Sequence, residues 1–217
     1  TAIGGAETGN KEYWAKWEAN TYTVTLNTNG GTINSGNVTG YTYGVGATLP
    51  TADDMTYTGY TFKGWYDNEG LTGFPVTAIS DTETGNKEYW AKWEANVYTV
   101  TLNTNGGTIN SGNVTEYTYG VGATLPTDVT RTGYTFKGWY DNENLTGSPV
   151  TAISNTETGN KEYWAKWEAN TYTVTFDPNG GSVNPVAATT DSCPLYLHQP
   201  MVATIVLMDG TPHRPAA

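Results

Sequence analysis

One nine-residue segment occurs three times in this chain, and this repetition constrains the fold more than any other feature. The sequence Glu-Tyr-Trp-Ala-Lys-Trp-Glu-Ala-Asn occupies residues 12–20, 88–96 and 162–170. Residues 21–96 match residues 97–170 almost letter for letter, and they differ mainly in the loop 52–57, which corresponds to 128–131. The chain is therefore predicted to be part of a tandem array in which each copy is a small domain.

The repeat divides the chain into five predicted parts. Residues 1–20 have the sequence of the C-terminal end of an upstream repeat, 21–96 and 97–170 are full repeats, and 171–185 match the start of a further repeat. Residues 186–217 lose the periodic Thr and Tyr pattern and form an aberrant tail. Since the chain starts at Thr1 without an initiating Met or a signal peptide, we expect it to belong to a longer protein.

Composition excludes several classes of function. The chain has 10 Lys and Arg against 21 Asp and Glu, a net charge of -11, which argues against nucleic acid or an anionic membrane as a partner. No apolar run is long enough to span a bilayer, so no membrane insertion is expected within this sequence. The single cysteine, Cys193, cannot form an internal disulfide, so each small core must depend on the 8 Trp, 16 Tyr and 4 Phe residues.

Alternating apolar and polar residues predict a mainly β module. Residues 21–26 alternate with period two, which places Tyr22, Val24 and Leu26 on the inner face of a strand. Asn29-Gly30 then predicts a tight hairpin turn, with the return strand starting at Thr32. Residues 38–43 alternate again, and residues 47–50 fit either a short helix or an extended link.

Two aromatic segments complete the predicted module. Residues 60–66 form a strand in which Gly64 marks a bulge that turns both Phe62 and Trp65 toward the core. Residues 87–94 form the last strand, and the next repeat starts almost immediately after it. Because the junctions leave almost no linker, we expect an extended array of modules.

Three motifs occur together in each copy and carry a family resemblance. They are residues 22–26 leading to Asn29-Gly30-Gly31, then residues 58–66, then Tyr89-Trp90-Ala91-Lys92-Trp93. In combination they resemble the Listeria-Bacteroides repeat, the family that includes the internalin B-repeat. The resemblance implies a compact, β-grasp-like module, strung in arrays on secreted or wall-attached bacterial proteins. It implies no catalytic residues.

The residues themselves offer little chemistry. Both histidines, His198 and His213, and the only cysteine follow residue 185, so no repeat has the residues of a Cys/His, Ser/His/Asp or zinc-thiolate site. Residues 67–69 and 141–143, each Asp-Asn-Glu, have oxygen ligands for calcium, but a solvated turn is the better interpretation because a calcium loop needs about six oxygens. No catalytic residue, metal or cofactor is predicted.

The tryptophans are the candidates for a contact surface. In a module this small, Trp17, Trp65 and Trp93 are expected in the core rather than on a ligand platform. The two tryptophans of the last strand are three residues apart and face opposite sides, so one of each pair is less buried. The predicted contact residues are Trp14, Trp90 and Trp164.

The tail after Pro185 has two interpretations. It is either a distinct C-terminal segment or the product of a shifted reading frame within a further repeat. Read from the third base of each codon, Met201-Val202 and Met208-Asp209 must both encode glycine, and the second of these permits the Gly-Trp-Tyr sequence seen at residues 64–66. The nucleotide sequence of codons 209–211 tests the frame-shift hypothesis.

These observations predict a non-catalytic repeat array of a bacterial cell-surface or secreted protein, acting as a stalk, an adhesive binding surface or both. The alternative is a carbohydrate-binding accessory array of a larger secreted enzyme. The expected location is extracellular or in the bacterial cell wall. Expected partners are a host or cell-surface protein or glycan, together with neighbouring repeats of the same chain.

Overall fold

The computed structural model describes residues 5, 6, 8–175 and 187–190. It divides the chain into two compact units, residues 1–96 and 97–217, and each unit contains one hydrophobic core. The regular secondary structure of the described residues is nearly all β, with a single 3-10 turn at Ala52–Asp54. The prediction of a mainly β fold built from tandem modules is confirmed, whereas the β-grasp-like description stays a prediction.

The first repeat has eight strands. They are β1 (Thr21–Asn27), β2 (Thr32–Ile33), β3 (Gly40–Thr42), β4 (Ala47–Thr48), β5 (Met55–Thr56), β6 (Tyr60–Tyr66), β7 (Ala78–Ile79) and β8 (Lys87–Ala95). Four of them form one sheet in the order β3-β1-β8-β6. The first and last strands of the repeat, β1 and β8, lie at the centre of the sheet and run parallel to each other. The two outer strands, β3 and β6, are antiparallel to their neighbours.

The core of the first repeat lies on one face of this sheet. Val24, Tyr89 and Ala91 are buried from the two central strands, and Trp65 from β6 is only 1% exposed. The short pairs β2-β5 and β4-β7 supply Met55 and Ile79 to the same cluster. Tyr22 and Leu26 pack against it, so the inner face of β1 is as the alternation predicts.

The second repeat reproduces this arrangement. Its strands are β9 (Val97–Asn103), β10 (Thr108–Ile109), β11 (Glu116–Thr118), β12 (Ala123–Thr124), β13 (Val129–Thr130), β14 (Tyr134–Tyr140), β15 (Ala152–Ile153) and β16 (Lys161–Ala169). The sheet order is β11-β9-β16-β14, with β9 and β16 parallel. Two further strands, β17 (Tyr172–Thr175) and β18 (Ala187–Thr190), pair antiparallel.

The bulge predicted at Gly64 is present. The register of β6 against β8 shifts between Phe62 and Gly64, and Gly64 has a φ of 125°. Because of this shift, the rings of Phe62 and Trp65 lie on the same side, with centroids 5.5 Å apart. The same shift occurs between Phe136 and Gly138 in the second repeat.

The hairpin predicted after β1 is wrong, although the turn itself forms. Asn29 and Gly30 have positive φ values of 50° and 97°, as a tight turn requires. However, β2 pairs with β5, and β1 pairs with β3 and β8. The turn instead contacts the last strand, because the Asn29 side-chain amide donates to the carbonyl of Ala91 at 2.8 Å. Residues 47–50 begin with the short strand β4, which resolves the choice between helix and extended link.

The prediction that Trp17 lies in a core is wrong. Residues 8–20 form no strand, and Trp17 is 89% exposed. In the full repeat the same sequence forms β8, which has β1 on one side and β6 on the other. Without such neighbours the ring of Trp17 has no apolar surface to cover it.

The tail hypothesis concerns residues 186–217, of which only 187–190 are described, as β18. Cys193, His198 and His213 lie outside the described residues.

Candidate functional site

Each repeat has a groove at the place where β6, or β14 in the second repeat, ends before the neighbouring strand does. β6 pairs with β8 from Tyr60 to Tyr66, where Tyr66 faces Trp90. The preceding residues of β8, 87–89, therefore have a partner strand only on the β1 side. Asp67 and a segment containing β7 form the other side of an open groove of about 490 Å³.

The second repeat has the same groove. It has a volume of about 500 Å³ and lies between Asp141, the β15 segment and the start of β16. Every residue that lines it is the residue found 74 positions earlier in the first groove, and all are of the same type. The chain thus presents two chemically equivalent grooves.

A buried tyrosine reaches each groove with an unused hydroxyl. Tyr89 is 6% exposed and Tyr163 is 5% exposed, and both line their grooves. Neither hydroxyl makes a hydrogen bond to the described residues, whereas the hydroxyl of the nearby Tyr41 donates to the carbonyl of Gly85 at 2.7 Å. Within the described part of the chain, no fully buried side-chain oxygen is left without a partner. The Tyr89 hydroxyl is therefore accessible to solvent, and it belongs to a residue that lines the groove.

The hydroxyl of Tyr89 is protonated at neutral pH. Burial raises the pKa of Tyr89 above its ordinary value, and the nearby ammonium of Lys87 opposes this shift. Burial raises the pKa of Tyr163 in the same way. Each hydroxyl therefore remains both a donor and an acceptor at neutral pH.

Acidic side chains dominate the charge of the groove. Asp67, Glu83 and Glu88 line it, against one basic residue, Lys87. Lys87 forms an ion pair with Glu83, and this contact raises the pKa of the lysine. Glu88 accepts a hydrogen bond from the side-chain amide of Asn27 at 2.9 Å. The groove is therefore unsuited to an anion and offers several oxygen acceptors to a ligand.

Trp90 and Trp164 are half-buried and line the grooves. Their indole N–H groups donate no hydrogen bond to the described residues. By contrast, Trp65 donates to the carbonyl of Pro50 at 2.9 Å and Trp93 to that of Thr28 at 2.8 Å. The last strand thus carries one tryptophan that is tied to the core and one that is not, and contact of Trp90 and Trp164 with a partner stays a prediction.

Trp14 is 79% exposed and belongs to the segment 8–20, which forms no strand. The structure therefore does not place the third predicted contact residue in a groove, and its role also stays a prediction.

Comparison with known proteins decides the family. The model of the Listeria-Bacteroides repeat domain matches residues 22–92 and 98–166, which are the two repeats described above. The chain belongs to the Listeria-Bacteroides repeat family. This repeat is typical of bacterial surface proteins.

Two relatives of the chain come from the bacterium Evansella cellulosilytica. They carry the provisional names Gly-rich membrane protein and membrane protein, and each is 40% identical over 172 residues, or 78% of this chain. The match covers 19% of the first relative and 24% of the second, so the chain spans about a fifth to a quarter of their length. No solved structure matches the chain. None of the helical structure in the described residues has the length and apolar character needed to cross a membrane.

The predicted turn at residues 67–69 of the first Listeria-Bacteroides repeat is held by hydrogen bonds within its own loop. The Asn68 side chain donates to the carbonyl of Thr72 at 2.9 Å and accepts from its backbone N–H at 3.2 Å. In the described part of the chain, no three His, Cys, Asp or Glu side chains are grouped to hold a metal ion. Asp67 nevertheless lines the groove, a position that the turn chemistry did not indicate.

Sequence reasoning missed the tyrosines of the Listeria-Bacteroides repeat. The alternation in β8 places Tyr89 on the same face as Ala91, so the sequence identifies it only as a core residue. The exposure of its hydroxyl depends on the position at which β6 ends, and no local sequence pattern indicates that position.

Proposed function

We propose that the chain is a non-catalytic part of an extracellular or wall-attached bacterial protein, where it serves as a stalk that presents repeated binding surfaces. The observation that carries this proposal is the one-residue connection between self-contained repeats. β8 ends at Ala95 and β9 begins at Val97. Every residue of the first core precedes this junction, and every residue of the second follows it.

This organisation suits a spacer. A module with its own complete core can be added to the array without changing the cores of its neighbours. Short connections also limit bending between modules. In addition, equivalent grooves 74 residues apart present one surface twice on one chain, and two linked sites raise the overall affinity for a partner that has several copies of its own site.

Solution scattering tests the stalk. A chain carrying a second copy of residues 97–170, inserted after Asn170, is compared with the original chain. A compact domain of this size is about 30 Å across, so the maximum dimension is expected to grow by about that length. An unchanged maximum dimension would reject the stalk.

The second candidate is a carbohydrate-binding accessory array of a larger secreted enzyme, and the polar, aromatic groove favours it. Retardation of the chain on polysaccharide gels would support this function. A catalytic domain elsewhere in the parent gene would separate an accessory array from a simple adhesive one.

A further inference from the structure

The most distinctive unassigned feature of the molecule is the tyrosine hydroxyl at each groove. Because each tyrosine is more than nine-tenths buried, its ring holds the hydroxyl oxygen in place before any ligand arrives. In the core of the same repeat, the hydroxyl of Tyr41 donates a hydrogen bond to the carbonyl of Gly85. The Tyr89 hydroxyl has no such internal role in the described residues, and its counterpart Tyr163 has none either.

The surrounding groups indicate which ligand chemistry the hydroxyl serves. The groove has three carboxylates, Asp67, Glu83 and Glu88, and one ammonium group, that of Lys87, which is paired with Glu83. This excess of negative charge repels phosphate, sulfate and acidic sugars. Carboxylates accept hydrogen bonds, and Asn86, whose side-chain oxygen already accepts from the backbone N–H of Thr23, adds an amide NH2 donor. A ligand rich in neutral hydroxyl groups matches this set, because each hydroxyl both donates and accepts.

The size of the groove also selects the ligand. About 490 Å³ falls within the range of small-molecule sites and accommodates a few sugar units. A protein partner normally needs about 800 Å² of surface on each side, which a groove of this size does not supply alone. Trp90 also lines the groove, and its half-buried indole donates no hydrogen bond to the described residues.

We propose that the groove of each repeat binds a neutral, hydroxyl-rich saccharide, with the hydroxyl of Tyr89 or Tyr163 hydrogen-bonded to it at the edge of the strand that also carries Trp90 or Trp164. This inference rests on the proposed role of the array as a presenter of binding surfaces, and it names the site and the ligand class. The two equivalent grooves make one chain bivalent for a polysaccharide that repeats the same unit.

The test is an NMR titration of the full 217-residue chain. The probes are the neutral tetrasaccharides of cellulose, xylan, mannan and chitin, with tetralysine and a sulfated tetrasaccharide as charged comparisons. At least one neutral probe is expected to shift the backbone amides of 87–90 and 161–164, and the indole N–H signals of Trp90 and Trp164, in a saturable manner. The hydrogen-bonded indoles of Trp65 and Trp93 are expected to shift less.

Matched tyrosine variants locate the binding. Tyr89→Phe combined with Tyr163→Phe removes only the two groove hydroxyls, and the affinity is expected to fall about fivefold, as for the loss of one neutral hydrogen bond. The control combines Tyr41→Phe with Tyr117→Phe, which removes hydroxyls that are bonded to Gly85 and Gly159 and leaves affinity unchanged.

Three results overturn the inference. They are no shift in the groove with any neutral probe, shifts that the groove tyrosine variants leave unaltered, or preferential titration of the groove by tetralysine or the sulfated probe. None of these results bears on the scattering experiment, so a failed saccharide site is distinguishable from a failed stalk.

Discussion

At the scale of single residues, glycine 64 determines whether the core can form. Its φ of 125° is in the left-handed region, and a Cβ built there lies 2.6 Å from Cβ of Pro75. The bulge at this position lets both Phe62 and Trp65 reach the core side. Gly138 has the same surroundings against Pro149.

We predict that Gly64→Ala combined with Gly138→Ala lowers the free energy of unfolding of each repeat by about 3 kcal/mol, from backbone strain and a steric clash together. The control is Gly73→Ala combined with Gly147→Ala, because both positions have a φ of 86° and no atom within 4 Å of the new Cβ. Strain alone is expected to cost about 1 kcal/mol there. Equal losses in urea unfolding would show that the close approach of proline has no importance.

The tryptophans of the two full repeats fall into two groups, those packed in the core and those that line a groove. Trp65 is 1% exposed and its indole N–H bonds to the carbonyl of Pro50. Trp139 is 2% exposed and makes the equivalent bond to Pro126 at 2.8 Å. Replacement by phenylalanine leaves a cavity and removes the donor from a buried carbonyl.

Trp65→Phe combined with Trp139→Phe is therefore predicted to cost each repeat about 3 kcal/mol and to lower Tm by more than about 10 °C. Trp90→Phe combined with Trp164→Phe is expected to cost less than about 1 kcal/mol, because these indoles are half-buried and donate no hydrogen bond to the described residues. Thermal unfolding followed by circular dichroism measures both. A larger loss from the Trp90 pair than from the Trp65 pair would contradict this division.

At the scale of elements, the sequence predicted which segments are strands better than it predicted their partners. The period-two alternation in 21–26, 60–66 and 87–94 is local information, and all three segments are strands. The pairing of β1 with β8 joins residues more than 60 positions apart, and no local pattern specifies it. The residues Asn29-Gly30 are typical of a hairpin turn. In the structure, however, the side-chain amide of Asn29 donates to the carbonyl of Ala91 in the last strand, and the turn does not connect two paired strands.

Of the groove, only the strand faces of its tryptophans were predictable. The spacing of Trp90 and Trp93 is enough to place the two rings on opposite faces, since side chains alternate along a strand. The groove itself arises because β6 stops at Tyr66 while β8 begins three residues before Trp90, at Lys87. Strand lengths of this kind depend on tertiary packing, and so the role of Tyr89 was not predictable.

The loop before β6 differs between the repeats but is held by an acidic residue in both. Asp54 accepts a hydrogen bond from Ser35 and two from Thr51, and these bonds hold its pKa below the ordinary value. Asp128 accepts from the side chains of Asn110 and Ser111, with the same effect on its pKa. Ser35 and Ser111 occupy the same position of the repeat, so one donor is shared, whereas the second donor is Thr51 in the first repeat and Asn110 in the second.

A carboxyl group whose pKa is lower in the folded state contributes stability above its unfolded pKa of about 3.9, and this contribution is lost as the pH falls through the folded pKa. We therefore predict that the free energy of unfolding decreases below about pH 4, and that Asp54→Asn combined with Asp128→Asn flattens this dependence. Urea unfolding across the acid range measures it. The control is Asp53→Asn, since that carboxyl accepts no hydrogen bond from the described residues, and an equal flattening by this control would contradict the assignment.

At the scale of the whole molecule, the repeats are connected by one residue that belongs to the first of them. The backbone N–H of Asn96 donates to the carbonyl of Gly59 at 2.9 Å, and Asn170 makes the same bond to Gly133 at 2.8 Å. Each repeat therefore fixes its own last residue before the following strand begins. The residues of one core cluster and those that pack against it all come from a single repeat.

Because neither core includes a residue of the other repeat, destabilising one repeat is expected to leave the other unaffected. Trp65→Phe alone is predicted to split the calorimetric profile of the full chain into a lowered transition for the first repeat and an unchanged transition for the second. Trp139→Phe is the reciprocal variant and exchanges the two. If either substitution instead moves one undivided transition, the repeats unfold as a single cooperative unit, and an array that adds modules without altering their neighbours loses its physical basis.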